Sequence, residues 1–130
     1  MFFQNYWRNW STWAVESWKL DFRVINQGRI VGIQALEAEH FVELRTVESG
    51  SWLVPEYRGI GHGTVIRIAI LSFAFDHLGA QAAITSSRFD NAAPLGVSRR
   101  IGYQDNGVTA SRSPTGPCQL QHLRLTRAQW

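Results

Sequence analysis

A single cysteine, Cys118, excludes an intramolecular disulfide framework, and the opening Met1-Phe2-Phe3-Gln4-Asn5-Tyr6-Trp7-Arg8 contains no apolar signal core. The cytoplasm is the compartment these absences lead one to expect. No run approaches the ~20 apolar residues that a membrane helix needs; the longest, from Val65 to Phe75, is interrupted by Arg67 and Ser72. A membrane partner is not expected. His-Glu-x-x-His and Cys-x-x-Cys are both missing, and His40, His62, His77 and His122 are scattered, so no metal site is expected. The Gly-Lys-Ser/Thr of a nucleotide-triphosphate loop is missing as well. Lysine is as scarce as cysteine, with Lys19 alone beside twelve arginines.

What is present describes one globular domain over residues 1–130, with 45% hydrophobic and 18% charged residues and no repeat or linker. A chain of this size buries about two-thirds of its unfolded surface, enough for a core without metal or disulfide staples. The net charge of +3 and pI near 9.6 suit an anionic partner, a phosphorylated small molecule or a nucleic acid. Nucleic-acid binders concentrate their cations on one element. Here the longest basic run is Arg99-Arg100, which favours the small anion over nucleic acid.

Along the chain, Phe3, Trp7, Trp10, Ala14 and Trp18 fall on one helical face and predict an amphipathic helix over about 3–18. Asp21 to Asn26 and Arg29 to Glu37 predict two antiparallel strands joined at Gln27-Gly28. Leu44 to Val54 predicts a third strand, broken at Ser49-Gly50-Ser51, where glycine marks a bulge or a close backbone approach. Pro55 ends it. A glycine-rich loop leads into a buried helix from Thr64 to Leu78, stopped by Gly79, and Ala82 to Ser86 predicts a strand returning parallel. A shorter helix from Ala93 or Pro94 to Ile101 stops at Gly102. Asp105 to Pro117, with Gly107, Pro114, Gly116 and Pro117, reads as a long turn before a last strand, Gln119 to Leu125.

The most informative stretch runs from Trp52 to Thr64. Gly59, Gly61 and Gly63 sit between a strand and a helix, where successive N–H groups can turn toward one point at the positive end of the helix dipole. A phosphate or pyrophosphate is what such a loop binds. The dinucleotide fingerprint requires a third glycine where Thr64 stands. Glycine loops are also plain turns, and that reading remains open beside the phosphate one.

Val54-Pro55-Glu56-Tyr57-Arg58-Gly59-Ile60-Gly61-His62-Gly63 resembles the acetyl-CoA loop of the GNAT N-acetyltransferase superfamily, Gln/Arg-x-x-Gly-x-Gly/Ala, with Arg58, Gly61 and Gly63 filling the pattern. Asp90-Asn91 followed by Leu95 to Tyr103 is similar to the late motif of its RimJ/RimL-like branch, and Glu48-Ser49-Gly50-Ser51-Trp52-Leu53 resembles that branch's strand motif. The resemblance implies a mixed α/β (α+β) fold with a mostly antiparallel central sheet and a β-loop-α-β acetyl-CoA core over about 44–103. Only about twenty residues precede Asp21, so the usual opening strand-helix element is expected to be missing and the fold shortened at its N-terminus.

The implied chemistry is transfer of an acetyl group from acetyl-CoA directly to an amine, a small molecule or a protein N-terminus, without a metal. The pyrophosphate would lie on the amides of Arg58, Gly59, Ile60, Gly61, His62, Gly63 and Thr64, with the pantetheine along Trp52, Leu53 and Val54 and hydrogen-bonded by Asn91. A bulge near Gly50 and Ser51 would turn an N–H onto the thioester carbonyl. Glu48 is the candidate base, through water; it reads equally as a solvated strand carboxylate. Ser98 stands where many members carry the tyrosine that serves the departing thiolate, and Pro94 replaces the branch's serine. An unpartnered helix bearing Trp7, Trp10, Trp13 and Trp18 would favour a homodimer. Two other readings stand beside this one: a non-catalytic acyl-CoA-binding or regulatory domain, favoured by Pro94, Ser98 and the short N-terminus, and a small basic nucleic-acid-binding module, suggested by the pI alone.

Overall fold

The structure is a computed structural model that describes residues 16–130. The helix expected over 3–18 lies outside them except at its end, where Trp18 instead opens the first strand, paired with Ala38 and edge-on to Phe41 at 5.5 Å. Strand β1 (Trp18–Asn26) and β2 (Arg29–Ala38) form the expected hairpin. Gln27 and Gly28, at φ 51° and 77°, supply the two left-handed residues that match a tight turn to the strand twist.

A single-turn helix α1 (Phe41–Leu44), closed by left-handed Arg45, takes the residues before β3 (Thr46–Leu53) and delays that strand past Leu44. A 3-10 turn (Pro55–Tyr57) and the glycine loop lead to α2 (His62–Ser72), which widens into a π turn (Phe73–His77). Then come β4 (Ala82–Arg88), α3 (Ala92–Ile101), β5 (Gln104–Ser113) and β6 (Gly116–Thr126).

The segment from Asp105 to Pro117 is not a long turn. It is mostly β5, hydrogen-bonded to β6, and only Pro114 and Thr115 connect the two. Each turn-forming residue has a local use: Gly107 (φ 99°) sits where the register shifts between Asp105 and Val108, and Gly116 (φ 128°) closes the hairpin. Pro117 lies beyond the last β4–β6 pair, Arg88 with Leu120, where β6 has one neighbour only and a missing N–H costs little.

The six strands run in the order β1-β2-β3-β4-β6-β5, antiparallel except where β3 meets β4. Pairing sorts the two faces. Val47, Ala83 and Leu125 line up on the face covered by α2 and α3, where Leu71, Ala74, Phe75, Leu95 and Tyr103 complete the core. Burying a side chain as large as Phe75 contributes about 2–3 kcal/mol. Their neighbours Glu48, Ile84 and Arg124 line up on the opposite face.

No bulge occurs at Gly50–Ser51. The β2–β3 register runs unbroken from Glu37 opposite Glu48 to Gly32 opposite Leu53, while register shifts fall between Val24 and Ile25 and in β5. Gln34 Nε2 donates to the Gly50 carbonyl at 3.0 Å and ties the strand to β2. A Cβ at Gly50 would meet no atom within 4 Å, so this glycine leaves space free without bending the chain.

Candidate active site

The parallel contact between β3 and β4 has three pairs, Thr46 with Ala82, Val47 with Ala83 and Glu48 with Ile84. Beyond Glu48 the strands part, leaving a slot with free backbone on both sides. Thr85 Oγ1 donates to the Ser49 carbonyl at 3.1 Å and marks the apex. The slot's β3 side ends in exposed Trp52, buried Leu53 and half-buried Val54, whose N–H donates to the Val31 carbonyl at 2.8 Å. On the β4 side, Asn91 stands at the N-cap of α3 with its side chain uncommitted, beside Arg88 and Asp90 in a small cavity.

At the open end of the slot lies the glycine loop. Gly59 and Gly61 have φ of 75° and 95°, and a Cβ at 59, 61 or 63 would meet no atom within 4 Å, so the cradle is clear for a ligand. The first α2 hydrogen bond runs from Val65 N–H to the Gly61 carbonyl at 3.2 Å, with no side chain capping the helix. The amides of His62, Gly63 and Thr64 are thus left without helical partners at the positive end of the dipole. These features fit the pyrophosphate of coenzyme A.

Arg58 plays a different part from its neighbours. Its amide donates to the Pro55 carbonyl at 3.2 Å, its Nε donates to the Leu53 carbonyl at 2.7 Å, and its guanidinium lies 5.6 Å from the Trp52 ring. It ties the loop to the end of β3, and the free amides begin at Gly59. His62 rests against the Tyr57 ring at 5.2 Å, and the Tyr57 hydroxyl accepts from Asn26 Nδ2 at 2.9 Å.

On the sheet face opposite the helices, a cavity of about 530 Å³ is lined by Glu37, Glu39 and Glu48 together with Lys19 and Trp18. Glu37 lies directly across from Glu48 on β2. Burial raises the Glu48 pKa above its ordinary 4.5, and the charges of Glu37 and Glu39 push it further up while His122 pulls it down. A carboxylate held this way is a better base than a solvated one.

Ser98 is buried against α2 in the last turns of α3, and its Oγ accepts from Arg67 NH1 at 3.1 Å. In the sequence Arg67 stands out only as an interruption of an apolar run. Its position among Val65, Ile66, Ile68 and Ile70 was the available signal: a cation inside a core helix needs a reason. Among the described residues no cluster of metal-ligating side chains occurs, and no helix is long and apolar enough to cross a membrane.

Comparison with known proteins agrees with this geometry. A crystal structure of a probable acetyltransferase superimposes with a TM-score of 0.84 at 18% identity, covering 100% of this chain and 72% of that one. Mycobacterium smegmatis RimJ in complex with CoA-disulfide gives 0.77 at 18%, covering 83% of this chain and 53% of the RimJ chain, about half its length. The dodecameric spermidine N-acetyltransferase from Vibrio cholerae gives 0.83 at 15%, covering 96% and 72%. At these identities the likeness shows the fold, and it is the mixed sheet expected. The acetyltransferase (GNAT) domain family model matches residues 1–104, and with so much of the chain matched the protein belongs to that family.

Proposed function

We propose that the protein transfers an acetyl group from acetyl-CoA to a cationic small-molecule amine. The observation that carries the proposal is the pair of parallel strands parting just beyond Glu48, with the uncapped glycine cradle at one end and the acidic cavity on one face.

Acetyl-CoA supplies an activated acetyl group when bound. The amides from Gly59 to Thr64 hold its pyrophosphate, the free edges of β3 and β4 pair with the pantetheine amides as a further strand would, and the Asn91 side chain adds a hydrogen bond. Three carboxylates, offset by the single cation of Lys19, leave the cavity negative and draw an ammonium into it. Its nitrogen, of pKa near ~10 in water, must lose a proton before its lone pair can attack. Glu48, through water, takes that proton. The C–N bond then forms as the C–S bond breaks, the electron pair leaves with sulfur, and the second proton of the attacking nitrogen passes through water to solvent. Ser98, buried with its hydroxyl on Arg67, is far too weak an acid to protonate a thiolate.

The acidic cavity favours an acceptor with more than one positive charge, the class to which the substrate of the Vibrio neighbour belongs. A protein N-terminus, with one charge, gains less from three carboxylates. The late motif ending at Tyr103 supports the RimJ/RimL-like branch.

Titration calorimetry with acetyl-CoA, on wild type and Gly61→Trp, tests the cradle. Binding in wild type and none in a folded variant is the expected result. Wild type that fails to bind refutes the proposal.

A further inference from the structure

The core beside the slot contains a buried cation with no anion. Arg67 is 5% exposed, takes part in no ion pair among the described residues, and leaves its Nε without a partner. Its fixed contacts are the Ser98 hydroxyl at 3.1 Å and the face of Tyr103, whose ring centre lies 5.8 Å away. A guanidinium in such a place costs several kcal/mol of desolvation unless a counter-charge compensates it. Leucine or methionine would fill the same volume without that cost.

The contacts of Arg67 lead to the slot's apex. The Tyr103 hydroxyl lies 3.4 Å from Ser49 Oγ, and the Ser49 carbonyl accepts from Thr85, the first residues past the last β3–β4 pair. Glu48 and Ser49 are neighbours on one strand, so their side chains point to opposite faces. The acidic cavity therefore lies on one side of the apex and the guanidinium on the other. A thioester held at the apex would have the Glu48 face on one side for the amine and the Arg67 face on the other.

We propose that Arg67, aimed by Ser98, is the counter-charge for the coenzyme A thiolate that departs in acetyl transfer. The inference rests on the acetyl-CoA reading above. In the step, the ammonium proton having gone to Glu48, the neutral amine nitrogen bonds to the acetyl carbon, the C–S bond breaks with its electron pair on sulfur, and the second proton shed by the new amide nitrogen passes through water to solvent. No proton donor to sulfur is then required, because a fixed positive charge stabilises the anion. Arg67 is the catalytic residue in this arrangement and Ser98 a positioning residue.

The experiment is an ultraviolet titration of the thiolate of bound coenzyme A, paired with calorimetry on coenzyme A and desulfo-coenzyme A. In wild type the bound thiol should titrate about one unit below the free thiol, as expected beside an opposite charge. Arg67→Met should return it to the free value or above, lower kcat about 100-fold, and leave desulfo-coenzyme A affinity unchanged. Arg67→Lys should restore part of the shift. If Arg67→Met does not fold, Ser98→Ala, which keeps the cation and removes the bond that aims it, should raise the thiol pKa part of the way. An unchanged thiol pKa in the folded variant overturns the proposal, and so does equal weakening of both ligands, which would place the guanidinium on the pantetheine arm. Wild type that binds neither ligand overturns the acetyl-CoA reading itself.

Discussion

Replacing Glu37 by glutamine should lower the Glu48 pKa, and the structure sets the size of the change. The two residues face each other across an antiparallel pair, where Cβ atoms lie about 4.5–5.5 Å apart, and side chains rising on one face keep their carboxylates roughly 5–6 Å apart. At that distance two negative charges repel by about 0.7 kcal/mol with a water-like dielectric and ~1.4 kcal/mol at half that value. The cavity is open to solvent, so screening keeps the effect within these limits. Removing this repulsion lowers the Glu48 pKa toward its ordinary value. Carboxyl-carbon NMR of glutamate-labelled protein reads it directly, with Glu48→Gln to assign the resonance. In wild type the midpoint should stand above the ordinary 4.5. A midpoint that does not fall in Glu37→Gln would refute the argument that the paired carboxylates raise the Glu48 pKa. The kinetics should follow, with log kcat/KM rising at slope one while the amine alone titrates, and at slope two below the Glu48 pKa.

The raised pKa also links to stability. Between the ordinary carboxylate value and the raised one, the folded protein binds the proton that the unfolded chain has released, so stability falls as pH rises through the folded pKa. Glu48→Gln should therefore melt higher than wild type at neutral pH and lose that advantage in acid, which thermal scans across pH would show. Gly32 is a packing position: an added Cβ would strike the Trp52 carbonyl oxygen and lie 2.7 Å from Leu53 Cδ2. Gly32→Ala should cost about 2–3 kcal/mol and lower the melting temperature by roughly 10 °C. Gly50→Ala, whose Cβ meets nothing within 4 Å, is the control and should melt close to wild type by circular dichroism.

The parts of the fold legible in the sequence were those with a local physical cause. Gln27-Gly28 needs two left-handed residues, so the first hairpin could be placed. Gly61, Gly79 and Gly102 all have positive φ, and each stands where a helix begins or ends. The β5 strand was hidden because Gly107 and Pro114 speak of turns locally, while the pairing that makes the segment a strand comes from β6. The bulge expected at Gly50 failed for a related reason: glycine can relax a strand in several ways, and only the unbroken partner β2 decides which. At the site, spacing placed the loop glycines between a strand and a helix but left a plain turn equally open, and the resemblance to the acetyl-CoA loop favoured the cradle. The Glu37–Glu48 pair required the β2–β3 register, and Arg67 with Ser98 required the packing of α2 on α3.

The three-pair seam between β3 and β4 makes the sheet mechanically two plates, β1-β2-β3 and β4-β6-β5, each a continuous stretch of chain. Each plate is riveted by six or more pairs between neighbouring strands, whereas the plates meet along one short edge and share the strap of α2. The slot is therefore the molecule's fault line as well as its proposed active site. An occupant bonded to both free edges acts as a rivet, and its departure restores the weak edge. Each turnover would fasten and unfasten the body of the protein at the place where the chemistry occurs.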